Sequence, residues 1–269
     1  MEDLMNYDLM SLRLTKGCLD MAMVRQLARV VAKLHRNTHV KTVPSEEFQK
    51  MLERFSNVEM VALNADLTFT SLIDPNDPTN HCSPELSELA HSIREDPVIL
   101  GGIRDLHGVF LEQKECLTHG DLHLDSVMVN NSALKVIDAE FAFMGPASAD
   151  VGLVLSNFIF SYAAHTLYPK QDGLSSDHLL REAVRVTVEV YFDEAKEFLS
   201  DEELATLVSQ TAGFTGCHII KWMIGIAEAE DLLDKPQAEL MCLEIGVRLT
   251  KEYRTIRSTQ NLLKCIFDS

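Results

Sequence analysis

A chain of 269 residues with 46% hydrophobic and 24% charged side chains is long enough to bury one sizeable core. Its 41 acidic against 24 basic residues leave a formal charge of −17, which opposes polyanions, so neither nucleic acid nor an anionic membrane is an expected partner. A phosphorylated small molecule stays open, because a bound divalent cation reverses the local sign of charge.

In chain order, the opening MEDLMNYDLMSLRL has acidic residues where a signal peptide carries basic ones, and it lacks the long apolar core. Val24, Leu27, Val30, Val31 and Leu34 recur at three- and four-residue steps and predict an amphipathic helix over Met21 to His35. A second helix is expected from about Ser45, and Ser83-Pro84 reads as an N-cap followed by proline at the first helical position. Strand signals are confined to Val127–Val129 and Leu134–Ile137, with Asn130 to Ala133 as the turn between them. The apolar run Val151 to Ala164 is shorter than a membrane span and contains Ser156 and Asn157. SDEE at Ser200 to Glu203 matches a capping box, and a final helical region over Thr215 to Leu232 continues past Pro236. With no repeat, low-complexity segment or Gly/Ser linker, the expectation is a soluble, mainly α domain holding one small β-hairpin.

The chemistry concentrates in THGDLHLDSVMVNNSALKVIDAEFA, residues 118–142. If the hairpin runs out along Val127–Val129 and back along Leu134–Ile137, Asp138 returns to the loop that carries Asp121. A carboxylate at that loop can orient and deprotonate a hydroxyl. Asp138 and Glu140, two apart on a locally extended strand, can hold Mg²⁺ through hard oxygen ligands. The combination suits phosphoryl transfer, in which positioning and charge neutralisation carry most of the catalysis. A zinc reading of His119 with His123, or of His35 with His39, is weaker: Gly120 opposes a helix at the first pair, and four-coordinate sites need more ligands. His35 and His39 are read as helix-end residues near the surface, and Asp125 as an exposed or capping residue. The six cysteines are scattered without a C-x-x-C pair, which fits reduced thiols in a cytoplasmic protein.

HGDLHLDSVMV followed by VIDAEFAFMGPASADVG resembles the methylthioribose kinases, members of the aminoglycoside and choline kinase group with a protein-kinase-like fold. FSNVEMVAL at Phe55 to Leu63 and CHIIKWMIGIAEAEDL at Cys217 to Leu232 are similar to further segments of that family. The resemblance implies a C-terminal kinase lobe over residues 1–269, with a hinge-like segment at 1–20 and the catalytic loop, hairpin and metal segment at 116–152. It implies ATP and Mg²⁺ as cofactors and transfer of a phosphoryl group to the 1-hydroxyl of 5-methylthioribose in methionine salvage.

Position by position, Asp121 matches the catalytic Asp, and Asp138 and Glu140 the metal pair. Ser126 stands where many relatives put a metal-binding Asn on the cofactor side. Asp150 matches a buried acid beneath the loop, His119 a brace for it and His123 a lining residue. Met1, Glu2, Asp3 and Leu4 resemble the hinge that binds adenine. Two departures are expected to matter. The Gly-rich turn and phosphate-contacting lysine of the family's N-terminal ATP lobe have no counterpart in the sequence. Lys221-Trp222 occupies the place of an Arg-Arg pair near the substrate, where a point-charge lysine does not reproduce bidentate recognition; packing serves these two residues as well as substrate contact does. The alternatives are a one-lobed binding or regulatory remnant, and a kinase of choline or aminoglycoside type. A homodimer stays open.

Overall fold

Residues 4–169 and 177–268, which the computed structural model of the protein describes, form eleven α-helices and five short strands. In chain order these are β1 (Asp8–Leu9), α1 (Met10–Thr15), α2 (Met21–Thr38), α3 (Ser45–Arg54), α4 (Val58–Ala65), α5 (Ser87–Glu95) and α6 (Pro97–Glu112). Then follow β2 (Cys116–Thr118), β3 (Val127–Val129), β4 (Leu134–Val136), β5 (Phe143–Gly145), α7 (Ala147–Leu167), α8 (Asp177–Ala195), α9 (Asp201–Ile224), α10 (Pro236–Glu252) and α11 (Thr259–Phe267).

Local signals account for several helix ends. The Asp20 carboxylate caps α2 by accepting from the Ala22 N–H at 2.8 Å, and Asp96 caps α6 through Val98 and Ile99, with Pro97 in the first turn. At α9, Ser200 and Glu203 satisfy each other's backbone N–H groups in a reciprocal capping box, removing two of the unpaired donors that every helix start carries. Ser83-Pro84 instead opens a 3₁₀ turn, Pro84–Leu86, and the Ser83 hydroxyl makes no cap bond. The expected Thr215–Leu232 helix divides differently: α9 starts at its capping box, stops at Gly225, and a separate 3₁₀ turn, Glu230–Leu232, precedes Pro236 in the first turn of α10.

The core lies where α7, α9 and α10 pack. Along α7 an unbroken run from Ala147 to Ser156 is buried, so α7 carries no solvent stripe there and behaves as a central core helix. It is long and apolar enough to cross a membrane, and 94% of its most apolar stretch is buried inside the protein. Gly152 sets the approach of α7 to α9, because a Cβ there would stand 2.8 Å from both Phe214 Cβ and the Thr215 nitrogen. That contact fixes the first turn of α7, one turn before Gly152.

Five short strands frame the loop between β2 and β3. β3 pairs antiparallel with β4, Val127 opposite Val136, and on its other side with β1, Asp8 opposite Val129. The second sheet joins β2 to β5, Thr118 opposite Phe143. The turn between β3 and β4 closes on Asn130, whose Oδ1 accepts from the Ser132 and Ala133 N–H groups at 2.9 and 2.8 Å. The hairpin read from the sequence is therefore present, with β4 ending one residue early, while β1, β2 and β5 extend it into two small sheets. The candidate loop leaves β2, and the candidate metal segment lies between β4 and β5.

Gly152→Val is expected to lower unfolding stability by about 1–3 kcal/mol through overpacking of the α7–α9 contact. Urea denaturation followed by circular dichroism measures it, and an unchanged midpoint would contradict the close approach.

Candidate active site

The site is built on a buried charge. Asp150, in the first turn of α7, is 1% exposed. Its Oδ2 accepts from the His119 N–H at 2.7 Å and faces His35 Nε2 at 3.2 Å, and its Oδ1 accepts from the Gly120 N–H at 3.0 Å. Burial works to raise this carboxyl, but the bond and charge of His35 and the His119 N–H outweigh it and hold Asp150 below the usual carboxylate range. The other His35 nitrogen meets the Tyr191 hydroxyl at 2.8 Å. The surface placement expected for His35 and His39 is corrected: they are 1% and 5% exposed. His35 is drawn inward as the strut between Tyr191 and Asp150. His39 lies edge-on to Phe198 at 5.0 Å, and burial, with the Lys41 charge, lowers it to about 4.

Gly120 is gripped from both sides of its peptide. Its carbonyl accepts from Asn64 Nδ2 at 2.6 Å, and Asn64 is oriented by a 2.9 Å bond from Thr68 Oγ1, in the π-helical turn Asp66–Thr70. Gly120 has φ +84, and a Cβ there would stand 2.2 Å from the Phe141 carbonyl oxygen. Only glycine fits such a left-handed position against another backbone. The loop and the Ala139–Phe141 turn are thus in direct contact.

His119 strengthens that contact. Its Nδ1 accepts from the Asp121 N–H at 3.4 Å and its Nε2 donates to the Ile137 carbonyl at 2.8 Å. The next residue, Asp138, is left-handed at φ 64 and turns the chain into the 3₁₀ segment Ala139–Phe141. The extended strand expected through Asp138 and Glu140 is therefore a tight turn, and both residues are exposed. Neither carboxylate has a hydrogen-bond or ion-pair partner among the described residues, and no group of three or more His, Cys, Asp or Glu there forms a ready metal cluster. Asn57, also left-handed, braces the turn by donating to the Glu140 and Ala142 carbonyls at 2.8 and 3.1 Å.

Asp121 stands partly exposed beside His123. Asp121 Oδ2 is 3.5 Å from His123 Nε2, and Asp125 Oδ2 is 3.5 Å from His123 Nδ1; these are charge contacts, longer than normal hydrogen bonds. Ser126 is buried, its hydroxyl 3.4 Å from both the Asp121 carbonyl and His123 Nε2. Asp125 is exposed and accepts from the Ser11 hydroxyl. Burial alone would lower His123, but Asp121 and Asp125 raise it to about 9. Burial opposes ionisation of Asp121 too, yet His123, Lys221 and His218 hold it below the ordinary carboxylate range.

The end of α9 supplies the opposite wall. His218, Lys221 and Trp222 follow helical spacing and share the face toward the loop. The Trp222 ring lies 6.5 Å from His123 and 5.6 Å from Phe160, with Nε1 buried and without a hydrogen bond. Lys221 is 8% exposed and has neither ion pair nor hydrogen bond among the described residues; burial lowers it while Asp121 opposes the shift. His218 is buried with no normal hydrogen bond at either ring nitrogen. Burial and the Lys221 charge push it down to about 3, against opposing pulls from Asp121, the Ala149 backbone and Asp150.

The hinge-like segment is split by what can be described. Met1, Glu2 and Asp3 lie outside the described residues. Leu4 is partly buried in a turn closed by the Tyr7 N–H at 2.9 Å, just ahead of β1. Asn64, His35 and His218 are site residues that reading the sequence misses. Asn64 lies one residue beyond the FSNVEMVAL stretch, His218 lies inside CHIIKWMIGIAEAEDL with nothing local to single it out, and His35 reads as a helix end near the surface.

Residues 20–181 match the model of the phosphotransferase enzyme family (APH). The chain belongs to that family. Its relatives include the methylthioribose kinase of Bacillus cereus (strain 03BB102), 28% identical over 280 residues, or 97% of this chain and 70% of that protein. The methylthioribose kinase of Bacillus pumilus (strain SAFR-032) is 28% identical over 236 residues, or 80% of this chain and 57% of that protein. The chain thus spans little more than half the length of the latter. Among solved structures, a glucosamine kinase (crystal form B) aligns over 94% of this chain and 59% of its own, with TM-score 0.50 and 14% identity. The fold is accordingly a mostly helical, kinase-like phosphotransferase fold.

In this member of the family, His123 is expected to titrate with a midpoint near 9 in ¹⁵N NMR of the ring. Its folded value is raised, so the stability it contributes is complete below 6.5 and is lost as pH rises through about 9. Asp125→Asn should move the midpoint down; a wild-type midpoint at 6.5 would dismiss the paired arrangement.

Proposed function

We propose that the chain is the C-terminal lobe of an ATP-dependent small-molecule kinase that phosphorylates the 1-hydroxyl of 5-methylthioribose in the cytoplasm. One observation carries this reading: an ionised Asp121 on a left-handed glycine loop anchored to buried Asp150, with the Asp138–Glu140 turn against it. The names of the Bacillus relatives support the acceptor.

In this mechanism the acceptor hydroxyl lies against Asp121. Its oxygen forms a bond to the γ-phosphorus as the bond to the ADP oxygen breaks, and its proton passes to the Asp121 carboxylate. A carboxylate with a lowered pKa is a weak base, so Asp121 acts chiefly by orienting the hydroxyl and takes the proton late. Lys221 faces this exchange from the end of α9, its charge acting on Asp121. Asp138 and Glu140, exposed and without cationic partners among the described residues, fit Mg²⁺ as hard anionic ligands. Bound there, the ion would neutralise charge on the nucleotide phosphates. Ser126 contributes by holding the loop, with its hydroxyl toward Asp121 and His123.

A second acceptor class has an observation of its own. The cleft beside Trp222 is lined by Asp125, Glu228, Glu230 and Asp231, which favours a cationic acceptor of choline or aminoglycoside type. Product analysis by ³¹P NMR over 5-methylthioribose, choline and an aminoglycoside separates the two, using the chain and any longer natural polypeptide that contains it.

Asp121→Asn is expected to lower turnover roughly 10²–10⁴-fold with a smaller effect on ATP binding, read by steady-state assay; full activity in the variant would remove its role. Asp138→Asn and Glu140→Gln should each abolish the Mg²⁺ dependence of ATP binding in titration calorimetry without loss of helicity. Unchanged dependence in both would retire the pair as ligands.

A further inference from the structure

A second cavity, of about 270 Å³, opens on the far side of the His35–Tyr191 pair and is lined by none of Asp121, His123, Lys221 or Trp222. It lies between the end of α2, the start of α9 and the α8–α9 connection. Val40, Phe198, Leu199 and Leu207 give it apolar walls, and Glu115 is its innermost carboxylate. We infer that this cavity is a binding site for a small organic ammonium carrying a single apolar ring.

The charge pattern selects the cation. Three carboxylates face the cavity, and two are already paired: Glu202 with Arg257 and Glu203 with Lys41. Glu115 has no cationic partner within salt-bridge distance among the described residues. Its oxygens accept only from the Ala147 N–H and Gln113 Nε2, both at 2.7 Å. The nearby imidazoles make no bond to it: both His35 nitrogens are engaged by Tyr191 and Asp150, the His35 charge acting on Glu115 only from a distance, and burial holds His39 down at about 4. Burial accordingly raises the Glu115 carboxyl, against its two hydrogen bonds. Glu115 is half-buried; a partly desolvated carboxylate without a counter-ion among the described residues carries a cost that a cation delivered from solution offsets.

Shape selects the rest of the ligand. An apolar cavity of about 150 Å³ is enough to hold benzene, so this one accommodates a ring with a one-carbon arm. A bare metal ion is disfavoured, because a single unpaired carboxylate among apolar walls gives too few hard ligands. An anion would meet Glu115 unscreened. The Phe198 and Tyr191 rings add faces and edges suited to an aromatic cation. None of this depends on phosphoryl transfer, so the site and the proposed activity stand or fall separately.

The test is a titration of the full chain with benzylammonium, benzyl alcohol and benzoate, followed in methyl-resolved NMR at Leu199 and Leu207. Benzylammonium should saturate the shifts at least about tenfold more tightly than benzyl alcohol, the equivalent of one charge-assisted hydrogen bond, and benzoate should not bind. Glu115→Gln, which keeps an acceptor for the Ala147 N–H, should erase the preference for the ammonium. Thr206→Trp, an exposed change at the cavity mouth, should remove binding from a folded protein. Equal affinity for the three probes, no binding of benzylammonium, or undiminished binding to Thr206→Trp would each overturn the inference.

Discussion

The Asp150 carboxylate is the constraint on which the rest of the site hangs. A charge this deep costs several kcal/mol in lost hydration unless donors surround it. Here they come from two places distant in the chain: the ring of His35 on α2 and the backbone of His119 and Gly120. The charge that must be satisfied therefore dictates where the loop runs. Because the donors are two consecutive backbone N–H groups, the loop cannot slide without leaving a buried anion unpaired. The side chain that follows them, Asp121, inherits its position.

Around that anchor the ionisable groups shift in a coherent pattern. His123 is driven up by two carboxylates, while His218 and Lys221 are driven down by burial. Asp121 is held ionised between them. The local balance differs from what a net charge of −17 suggests: the wall formed by α9 sets a lysine opposite Asp121, each acting on the other's ionisation. Two asparagines complete the frame, Asn64 on the Gly120 carbonyl and Asn57 on the Glu140 and Ala142 carbonyls. Backbone-to-side-chain bonds of this kind hold irregular segments that no ladder supports.

Much of this was legible in the sequence because it has local causes. Alternation and an asparagine turn mark β3 and β4, helical spacing marks α2, and Ser200 with Glu203 marks the start of α9. Residues 116–152, expected to hold the loop, hairpin and metal segment together, do gather Asp121, His119 and the turn of Asp138 around Asp150. What escaped has partners far along the chain. β1 holds two residues and β2 and β5 three each, too few for alternation to register. His35 is buried for the sake of Tyr191, which lies 156 positions away. The segment from Asp138 to Glu140 was read as extended, since its neighbours favour strand, whereas the carbonyl of Ile137 bound to His119 and the left-handed Asp138 bend it.

The loop bonds to Asp150 have a consequence for how the molecule breathes. The His119 and Gly120 amides are bonded to a buried carboxylate in the first turn of α7, and amides bonded into a core trade hydrogen for deuterium through larger openings than those of exposed turns. The Asp138–Glu140 turn faces water on its outer side and is tied back through Asn57 and through the His119 bond to the Ile137 carbonyl. It belongs to the easily opened part of the landscape. One side of the cleft is thus anchored in the core, while the other lies at the surface with its carboxylates toward water.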